Sequence, residues 1–239
     1  MASKIEGNAP ASTRVIILDE NDWSIESNTV ESGDYSIGDL NNNSKTVIGR
    51  ATSGEVISYG NVTPINIPTI ETYFDVVHNY DDGYYEPGEN FHNNSNTIIT
   101  DSNAERGFIR FSGLTIPPGS TIDYAYIRLV TPFNLGVSNT VVFYAEAADN
   151  ATQMTTHTNR SLTSNSVTLQ QGPVSGGTVI NTPELKSVVQ EVVDRTGWSS
   201  GNAIQFFLIN TGSYTISFAA REFSGTHDPP RLYIQYTTS

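Results

Sequence analysis

Cysteine is absent from the 239 residues of this chain, and lysine is scarce. Without cysteine the chain forms no disulfide, uses no thiolate nucleophile and offers no thiolate ligand to zinc or an iron–sulfur cluster. The chain has three lysines and nine arginines but 25 acidic residues, which gives a formal net charge of −13. Because binding to phosphates needs clustered cations, we expect no nucleic-acid partner.

Long apolar runs are also missing. No stretch reaches the roughly 18 apolar residues of a transmembrane helix, so we expect no membrane insertion. The apolar run at residues 15–18 is too short for the hydrophobic region of a signal peptide. The abundant residues are threonine, serine and asparagine, at 27, 25 and 22 copies, which is typical of the solvent faces and loops of an extracellular β protein. Such a surface without an export signal predicts release by cell lysis.

The composition divides the chain into two regions. Residues 1–67 carry nine acids and four bases, and their short apolar patches at residues 15–18, 47–48 and 56–57 are separated by glycines. Patches of this size bury little surface by themselves. This region is therefore predicted to be an attachment segment, extended or made of short strands, that becomes ordered on a partner surface. Residues 68–239 carry the longer β pattern.

The second region alternates apolar and polar residues in short runs bounded by turn residues. Strands are predicted at residues 71–77, 106–111, 121–131, 140–147, 167–169, 203–209, 214–220 and 231–236. The run 121–131 changes phase, which indicates a β-bulge. The almost continuous apolar run 203–209, interrupted by Gln205, indicates a strand buried on both faces. Eight or so strands at this spacing predict an all-β fold, namely a jelly-roll β-sandwich.

One short helix is predicted to interrupt these strands. Thr182 is the expected N-cap, and Gly197 is the expected C-cap. Between them apolar residues recur at helical spacing, at Leu185, Val188, Val189, Val192 and Val193. Glu191 and Arg195 are spaced as an i,i+4 ion pair. We expect the helix to cover one end of the sandwich as a lid, with Trp198 packed beside it.

A set of ordered motifs in the second region resembles a known module. The motifs are Tyr80-Asp-Asp-Gly-Tyr-Tyr-Glu-Pro-Gly88, the segment from Arg106 to Ile127, Glu146-Ala-Ala-Asp-Asn-Ala151, Thr182-Pro-Glu-Leu185 and Arg195-Thr-Gly-Trp-Ser-Ser-Gly-Asn-Ala203. Together they resemble the carbohydrate-binding-like jelly roll of the DNRLRE or disaggregatase-related type, found in bacterial surface proteins and phage virion proteins. The resemblance covers roughly residues 70–239. It implies a jelly roll with a binding or display role and no catalytic residues to carry over.

The sequence offers little support for catalysis. Gly197-Trp-Ser-Ser-Gly201 has the spelling of a G-x-S-x-G nucleophile elbow, but the predicted helix precedes it and the strand follows, which reverses the required order. The histidines His78, His92, His157 and His227 show no metal-binding spacing. A glycosidase needs two carboxyls across a cleft, which the sequence does not show. We therefore predict no catalytic residue, no metal, no cofactor and no enzymatic activity.

An acidic stretch leaves one alternative open. Asp81, Asp82, Glu86 and Glu89 lie within nine residues and supply the oxygen ligands that a structural calcium ion prefers. Their spacing is not that of an EF-hand, and acidic loops are commonly just solvated. The sequence does not decide between these two interpretations.

Aromatic residues cluster beside the acidic stretch, at Tyr73, Tyr80, Tyr84, Tyr85 and Phe91. Two interpretations stay open. The stretch is a platform on which sugar rings or a partner protein stack, or its side chains belong to the core and the edge strands. Trp23 stands alone in the polar first region and is a candidate anchor in a partner pocket.

These features together predict a non-enzymatic phage virion structural protein of the head-decoration or fibre type. Residues 1–67 are expected to bind capsid or other virion proteins, while residues 68–239 display an acidic, carbohydrate-binding-like sandwich. A surface glycan is a candidate partner of this sandwich. The protein is expected to assemble as a homo-oligomer. Two alternatives stay open: a carbohydrate-binding module of a bacterial cell-surface or secreted protein, and a phage tail receptor-binding protein. The expected location is the virion, with the extracellular space or bacterial surface as the alternative.

Overall fold

The computed structural model divides the chain into two compact units, Met1–Thr69 and Ile70–Ser239. The sequence placed the corresponding boundary between residues 67 and 68. The structure describes residues 69–238 apart from residues 89, 102–104, 156–159 and 224–226, together with the backbone of the strands within residues 3–66. The two units are described separately below.

The first unit contains seven described strands. They are β1 Ser3–Asn8, β2 Thr13–Leu18, β3 Ser24–Thr29, β4 Asp34–Leu40, β5 Thr46–Ala51, β6 Val56–Asn61 and β7 Ile65–Asn66. One sheet has the order β4-β1-β7 and the other β3-β2-β5-β6. In the larger sheet Ile16 is paired with Ile48, and Ile48 with Tyr59. The apolar patches of the sequence therefore align across neighbouring strands, so the backbone takes the short-strand form and not the extended one.

The second unit is a jelly-roll β-sandwich. Its strands are β8 Thr69–Asp75, β9 Asp82–Glu86, β10 Asn90–His92, β11 Thr97–Thr100, β12 Arg106–Phe111, β13 Thr121–Val130, β14 Asn139–Ala145, β15 Val167–Gln171, β16 Val179–Asn181, β17 Ile204–Asn210, β18 Ile216–Ala219 and β19 Arg231–Thr237. The six-stranded sheet has the order β10-β9-β12-β17-β14-β15, and the four-stranded sheet β16-β13-β19-β8. A two-stranded sheet pairs β11 with β18.

The main core lies between the two large sheets. Buried side chains from both contribute to it, including Ile109 and Phe206 from the six-stranded sheet and Ile127 and Ile234 from the four-stranded sheet. A smaller cluster on the other face of the six-stranded sheet contains Tyr85, Phe108, Met154 and Phe207. The six-stranded sheet thus buries apolar residues on both of its faces at β12 and β17.

Two detailed strand predictions are confirmed. β17 lies between β12 and β14, and its first five residues are all buried, as the almost continuous apolar run predicts. The register of β13 against β19 shifts between Ile122 and Tyr124, where the sequence pattern changes phase. This bulge places both Tyr124 and Tyr126 on the outer face of the four-stranded sheet while Ala125 and Ile127 stay buried.

The predicted helix forms, but its predicted ends are wrong. Helix α1 spans Lys186–Val193, and Leu185 stands at its N-cap without a side-chain capping bond. Thr182 instead extends the pairing beyond β16: its hydroxyl accepts a hydrogen bond from the Ile127 N–H at 3.0 Å, and its own N–H donates to the Ile127 carbonyl at 2.9 Å. Two bonds to a neighbouring strand hold Thr182 in extended geometry, so the helix begins four residues later.

The end of the helix differs from the prediction for similar reasons. Asp194 is the C-cap, ahead of Gly197. Gly197 is close to another part of the chain, since a Cβ there would overlap the Asp149 carboxylate. Arg195 donates to that carboxylate at 2.6 Å. Glu191, the predicted partner of Arg195, accepts hydrogen bonds from the backbone N–H groups at residues 164 and 165 instead.

Helix α1 nevertheless covers the core as predicted. Its four valines and Trp198 are buried in the main core cluster. Gln190 fixes the helix to the start of β13, because its side-chain oxygen accepts from the Ile122 N–H at 2.7 Å and its side-chain nitrogen donates to the Ser120 carbonyl at 3.1 Å. The lid is thus held by apolar burial and by one partly buried amide, that of Gln190.

Candidate functional site

Four tyrosines lie together on the outer face of the four-stranded sheet. They are Tyr73 of β8, Tyr124 and Tyr126 of β13, and Tyr233 of β19. Side chains alternate between the faces of a strand, so the buried residues Leu232 and Ile234 of β19 place Tyr233 on the outside. Tyr126 and Tyr233 are paired in register, as are Tyr124 and Gln235. Cross-strand pairing therefore assembles this surface, which we name the tyrosine face.

The rings of the tyrosine face contact one another in a row. Tyr126 and Tyr233 stack with centroids 4.8 Å apart. Tyr124 lies 5.6 Å from Tyr126, and Tyr73 lies 6.1 Å from Tyr233. At one end the Arg231 guanidinium covers the Tyr73 ring at 4.4 Å and is held by two hydrogen bonds to Asp75, of 2.5 and 2.9 Å. At the other end Tyr124 remains 44 % exposed.

A shallow pocket of about 220 Å³ opens beside these rings. Tyr124, Tyr126 and Tyr233 supply its aromatic lining, and Glu71, Thr72 and Gln235 supply polar groups. The Gln235 side-chain nitrogen donates to the Glu71 carboxylate at 2.9 Å. The pocket therefore combines ring faces with a carboxylate and an amide that are already oriented by each other.

Two kinds of ionisable group line the pocket: phenols, among them that of Tyr126, and the carboxyl group of Glu71. Burial raises the pKa of Tyr126, and the neighbouring Tyr233 and Tyr124 raise it further. Its phenol therefore stays protonated at neutral pH and is available as a hydrogen-bond donor and acceptor. Glu71 is the carboxylate in the lining. Such a site can stack on an apolar ring face while the Glu71 carboxylate and the Gln235 amide bind hydroxyl groups.

The aromatic stretch predicted from the sequence does not form one surface. Tyr85 is buried in the smaller core cluster, and Phe91 packs against that cluster. Tyr84 stacks on the His92 ring at 4.4 Å. Tyr80 is 51 % exposed in the turn before β9, and Tyr73 belongs to the tyrosine face. The packing alternative therefore holds for Tyr85 and Phe91, and the five residues of this stretch do not form one continuous platform.

Sequence reasoning missed Tyr124, Tyr126 and Tyr233 as site residues. The alternation of residues 121–131 and 231–236 was visible, and it placed these tyrosines in strands. Which strands become neighbours depends on the jelly-roll pairing of β13 with β19, which local sequence patterns do not encode.

The carboxylates of the acidic stretch are separated by the sheet. Asp81 is fully buried, and its Oδ1 accepts from Arg110 Nη1 at 2.9 Å and from the Gln153 side chain at 3.2 Å. Asp82 is paired in register with Ile109, so it points to the core side of the sheet. Glu86 contacts His92 at 3.1 Å, and Glu89 lies outside the described residues.

A metal site finds no support in these contacts. Across the described parts of the chain, no group of three or more His, Asp or Glu side chains is placed to hold a metal ion. Asp81, Asp82 and Glu86 each have a different protein partner, so the structure does not bring these three candidate calcium ligands together.

The remaining candidate motifs lie apart from the tyrosine face. The segment 197–201 follows α1 and precedes β17, which is the reverse of a nucleophile elbow, as predicted. His78 is exposed in the turn after β8, His92 stacks on Tyr84, and His227 stacks on Phe223 with centroids 5.2 Å apart. His157 and Trp23 lie outside the described residues. In the described part of the chain, no helix is long and apolar enough to cross a membrane.

Comparisons with known proteins add little to this geometry. No family model matches the chain, and no curated protein matches it. The resemblance to the DNRLRE-type module therefore stays a prediction.

Solved structures with some similarity include structures of infectious bursal disease virus and its particles. A structure of the Gx strain has a TM-score of 0.30 at 9 % identity, covering 99 % of this chain and 59 % of that one. The VP2 subviral particle has a TM-score of 0.27 at 9 % identity, with 99 % and 60 % covered. The T13 viral particle has a TM-score of 0.24 at 10 % identity, with 99 % and 58 % covered. This chain thus spans about three fifths of the length of the chains it matches.

Proposed function

We propose that this chain is a non-enzymatic virion structural protein whose jelly roll binds a neutral surface glycan at the tyrosine face. The observation that carries the proposal is the pocket beside Tyr124, Tyr126 and Tyr233, with the Glu71–Gln235 pair on its rim. Ring faces pack against the apolar faces of sugars, and a carboxylate beside an amide provides an acceptor and a donor for neighbouring hydroxyls.

Charge restricts the class of glycan. Glu71 lines the pocket, and the whole chain carries a net charge of −13. A polyanionic saccharide would meet like charge in the pocket and across the surface. Arg231, the cation nearest to the row of rings, is already paired with Asp75. The proposed ligand is therefore a neutral saccharide, with one ring seated in the pocket.

The division of the chain supports an attachment role for the first region. The structure separates Met1–Thr69 from Ile70–Ser239, and each unit has its own paired strands. In the proposed protein residues 1–67 bind capsid or other virion proteins, and the jelly roll is displayed as a homo-oligomer of the head-decoration or fibre type. A tail receptor-binding protein, and a module of a bacterial cell-surface or secreted protein, are the alternatives that use the same pocket.

Removal of a pocket tyrosine should weaken glycan binding without unfolding the protein. We expect Tyr124→Ala to raise the Kd for a neutral saccharide by about tenfold, equivalent to roughly 1.4 kcal/mol, because a stacking ring is lost. A glycan array with the full chain identifies the saccharide, and isothermal titration calorimetry measures the change.

A matched control is available on the same domain. Tyr80 is 51 % exposed and does not line the pocket, so Tyr80→Ala should leave the Kd unchanged. Equal losses in the two variants, or binding to acidic saccharides alone, would contradict the assignment of the pocket.

Attachment to the particle is tested by truncation. A chain of residues 70–239 retains the complete main core, so we expect it to fold and to keep the glycan affinity of the full chain. It should fail to co-sediment with purified particles that the full chain joins, as measured by immunoblotting of gradient fractions. Co-sedimentation of the truncated and full chains in equal amounts would refute attachment through residues 1–67, and immunogold labelling distinguishes head from tail.

A further inference from the structure

Asp82 is a buried carboxyl group without a cationic side chain bonded to it. It is fully buried, and its Oδ2 accepts a hydrogen bond from the backbone N–H of Arg221 at 2.8 Å. Its Oδ1 is also buried and has no hydrogen-bond partner among the described residues. An ionised carboxylate in this position exchanges its hydration for the one hydrogen bond from Arg221. The neighbouring Asp81 differs, because its charge is matched by Arg110.

A second carboxylate lies close to Asp82. Glu222 accepts a hydrogen bond from Arg221 Nη1 on one oxygen, at 3.0 Å, while its Oε2 is buried without a partner in the described part of the chain. Arg221 Nη1 also donates to the Asn79 side chain at 2.7 Å. Two carboxyl groups therefore contact one arginine, Asp82 at its backbone N–H and Glu222 at its guanidinium, and among the described residues each has one buried oxygen without a partner. A single proton relieves both the repulsion and the desolvation.

We propose that Asp82 acts as a proton-controlled latch, which in its protonated form fastens the segment after β18 to the start of β9 and releases it when the proton is lost. The segment runs from Ala220 to Phe223, and the Arg221 N–H bond to Asp82 is its attachment to β9. The segment is also bonded to the chain before β11, because the Ala220 N–H donates a hydrogen bond to the Asn96 carbonyl at 3.0 Å. The Phe223 ring contacts Phe133 and His227, so release reaches this aromatic cluster.

The electrostatics of the site agree with this geometry. Burial is the main cause that raises the pKa of Asp82 to about 7, and the charges of Glu222 and Asp81 raise it as well. The backbone hydrogen bond and the charge of Arg221 act in the opposite direction. These three ionisable groups are the ones that act on Asp82 among the described residues. The latch is therefore closed in mildly acidic solution and opens as the pH rises through about 7.

The direction of the pH dependence follows from linkage. An unfolded aspartate titrates near pH 3.9, whereas folded Asp82 holds its proton up to about pH 7. Between these values the folded state binds more protons than the unfolded state, so its contribution to stability is largest at the acidic end and declines as the pH rises. Above about pH 7 both states are ionised and the contribution is lost.

The test uses the full chain and two independent readouts. Carbon-detected NMR follows the Asp82 carboxyl between pH 4 and 9, and hydrogen exchange gives the protection factor of the Arg221 amide. We expect Asp82 to titrate near neutrality and the Arg221 protection factor to fall about tenfold between pH 6 and pH 8. In Asp82→Asn, which keeps an acceptor for the Arg221 N–H but has no charge, the protection should not change over this range.

A matched control and the opposing outcomes complete the test. Asp228→Asn removes an exposed carboxylate paired with Arg128 and should behave as the unmodified chain does. Titration of Asp82 below pH 5 would overturn the proposal, as would an Arg221 protection factor that is independent of pH. A calcium-dependent rise in Arg221 protection at pH 8, reversed by a chelator, would show that a cation and not a proton holds the two carboxylates. Because the NMR titration needs no variant, a failure of Asp82→Asn to fold leaves the test intact.

Discussion

Replacing Arg110 by methionine should destabilise the jelly roll by about 3–5 kcal/mol. The Asp81 side chain is fully buried, and Arg110 is only 13 % exposed. Arg110 donates to Asp81 at 2.9 Å and to the Ala151 carbonyl at 2.8 Å, so its removal leaves a buried carboxylate with only the Gln153 amide as partner. The cost arises from the uncompensated charge and not from lost packing, since methionine keeps most of the apolar length. Urea unfolding of the 70–239 chain measures the change.

The double variant Arg110→Met with Asp81→Asn separates the two causes. Removal of both charges leaves no buried ion, so we expect it to recover most of the lost stability. A double variant as unstable as Arg110→Met alone would show that the arginine acts through its bond to Ala151. It would then be the attachment of the 149–154 segment, and not the ion pair, that stabilises this face of the sheet.

Replacing Trp198 by alanine should have a comparable effect, of about 3–5 kcal/mol. Trp198 is 2 % exposed within the main core, and its indole N–H donates to the Ile116 carbonyl at 3.0 Å. The variant therefore creates a cavity beside the valines of α1 and leaves a buried carbonyl without its donor. Differential scanning calorimetry and urea unfolding both report the loss.

Two further substitutions calibrate this result. Trp198→Phe should lose less stability than the alanine variant, because a ring still fills much of the site. Phe133 is 60 % exposed, so Phe133→Ala should change the free energy of unfolding by no more than about 0.5 kcal/mol. If Trp198→Ala and Phe133→Ala cost the same, the indole is not part of the stabilising core.

The elements that depend on local pattern could be predicted from the sequence. The buried strand β17 follows from an almost continuous apolar run, and the bulge in β13 follows from a change of phase at Ile122–Tyr124. The helix was expected from its valines. Its start was not expected, because Thr182 is hydrogen-bonded to Ile127, which lies on a strand 55 residues away in the sequence. Capping preferences are local, and here a tertiary pairing overrides them.

The candidate site depends almost entirely on such long-range pairing. Tyr124 and Gln235 meet because β13 and β19 are neighbours, and Glu71 reaches them because β8 is the next strand. The sequence stretch with the most aromatics was instead divided between the two sheets and the smaller core. Density of aromatics along a chain predicts burial as readily as it predicts a surface.

The position of β19 in the four-stranded sheet has a consequence for biosynthesis. β19 lies between β13 and β8, so until residue 237 has been made β8 has no partner in this sheet, and β13 is paired on one side alone, with β16. During translation β8 therefore lacks its partner β19 while more than 150 further residues are synthesised. A ribosome stalled before β19 has been made therefore leaves a nascent chain with two open strand edges. We expect such chains to aggregate or to bind chaperones, and the pocket of the tyrosine face to form after β19 is in place.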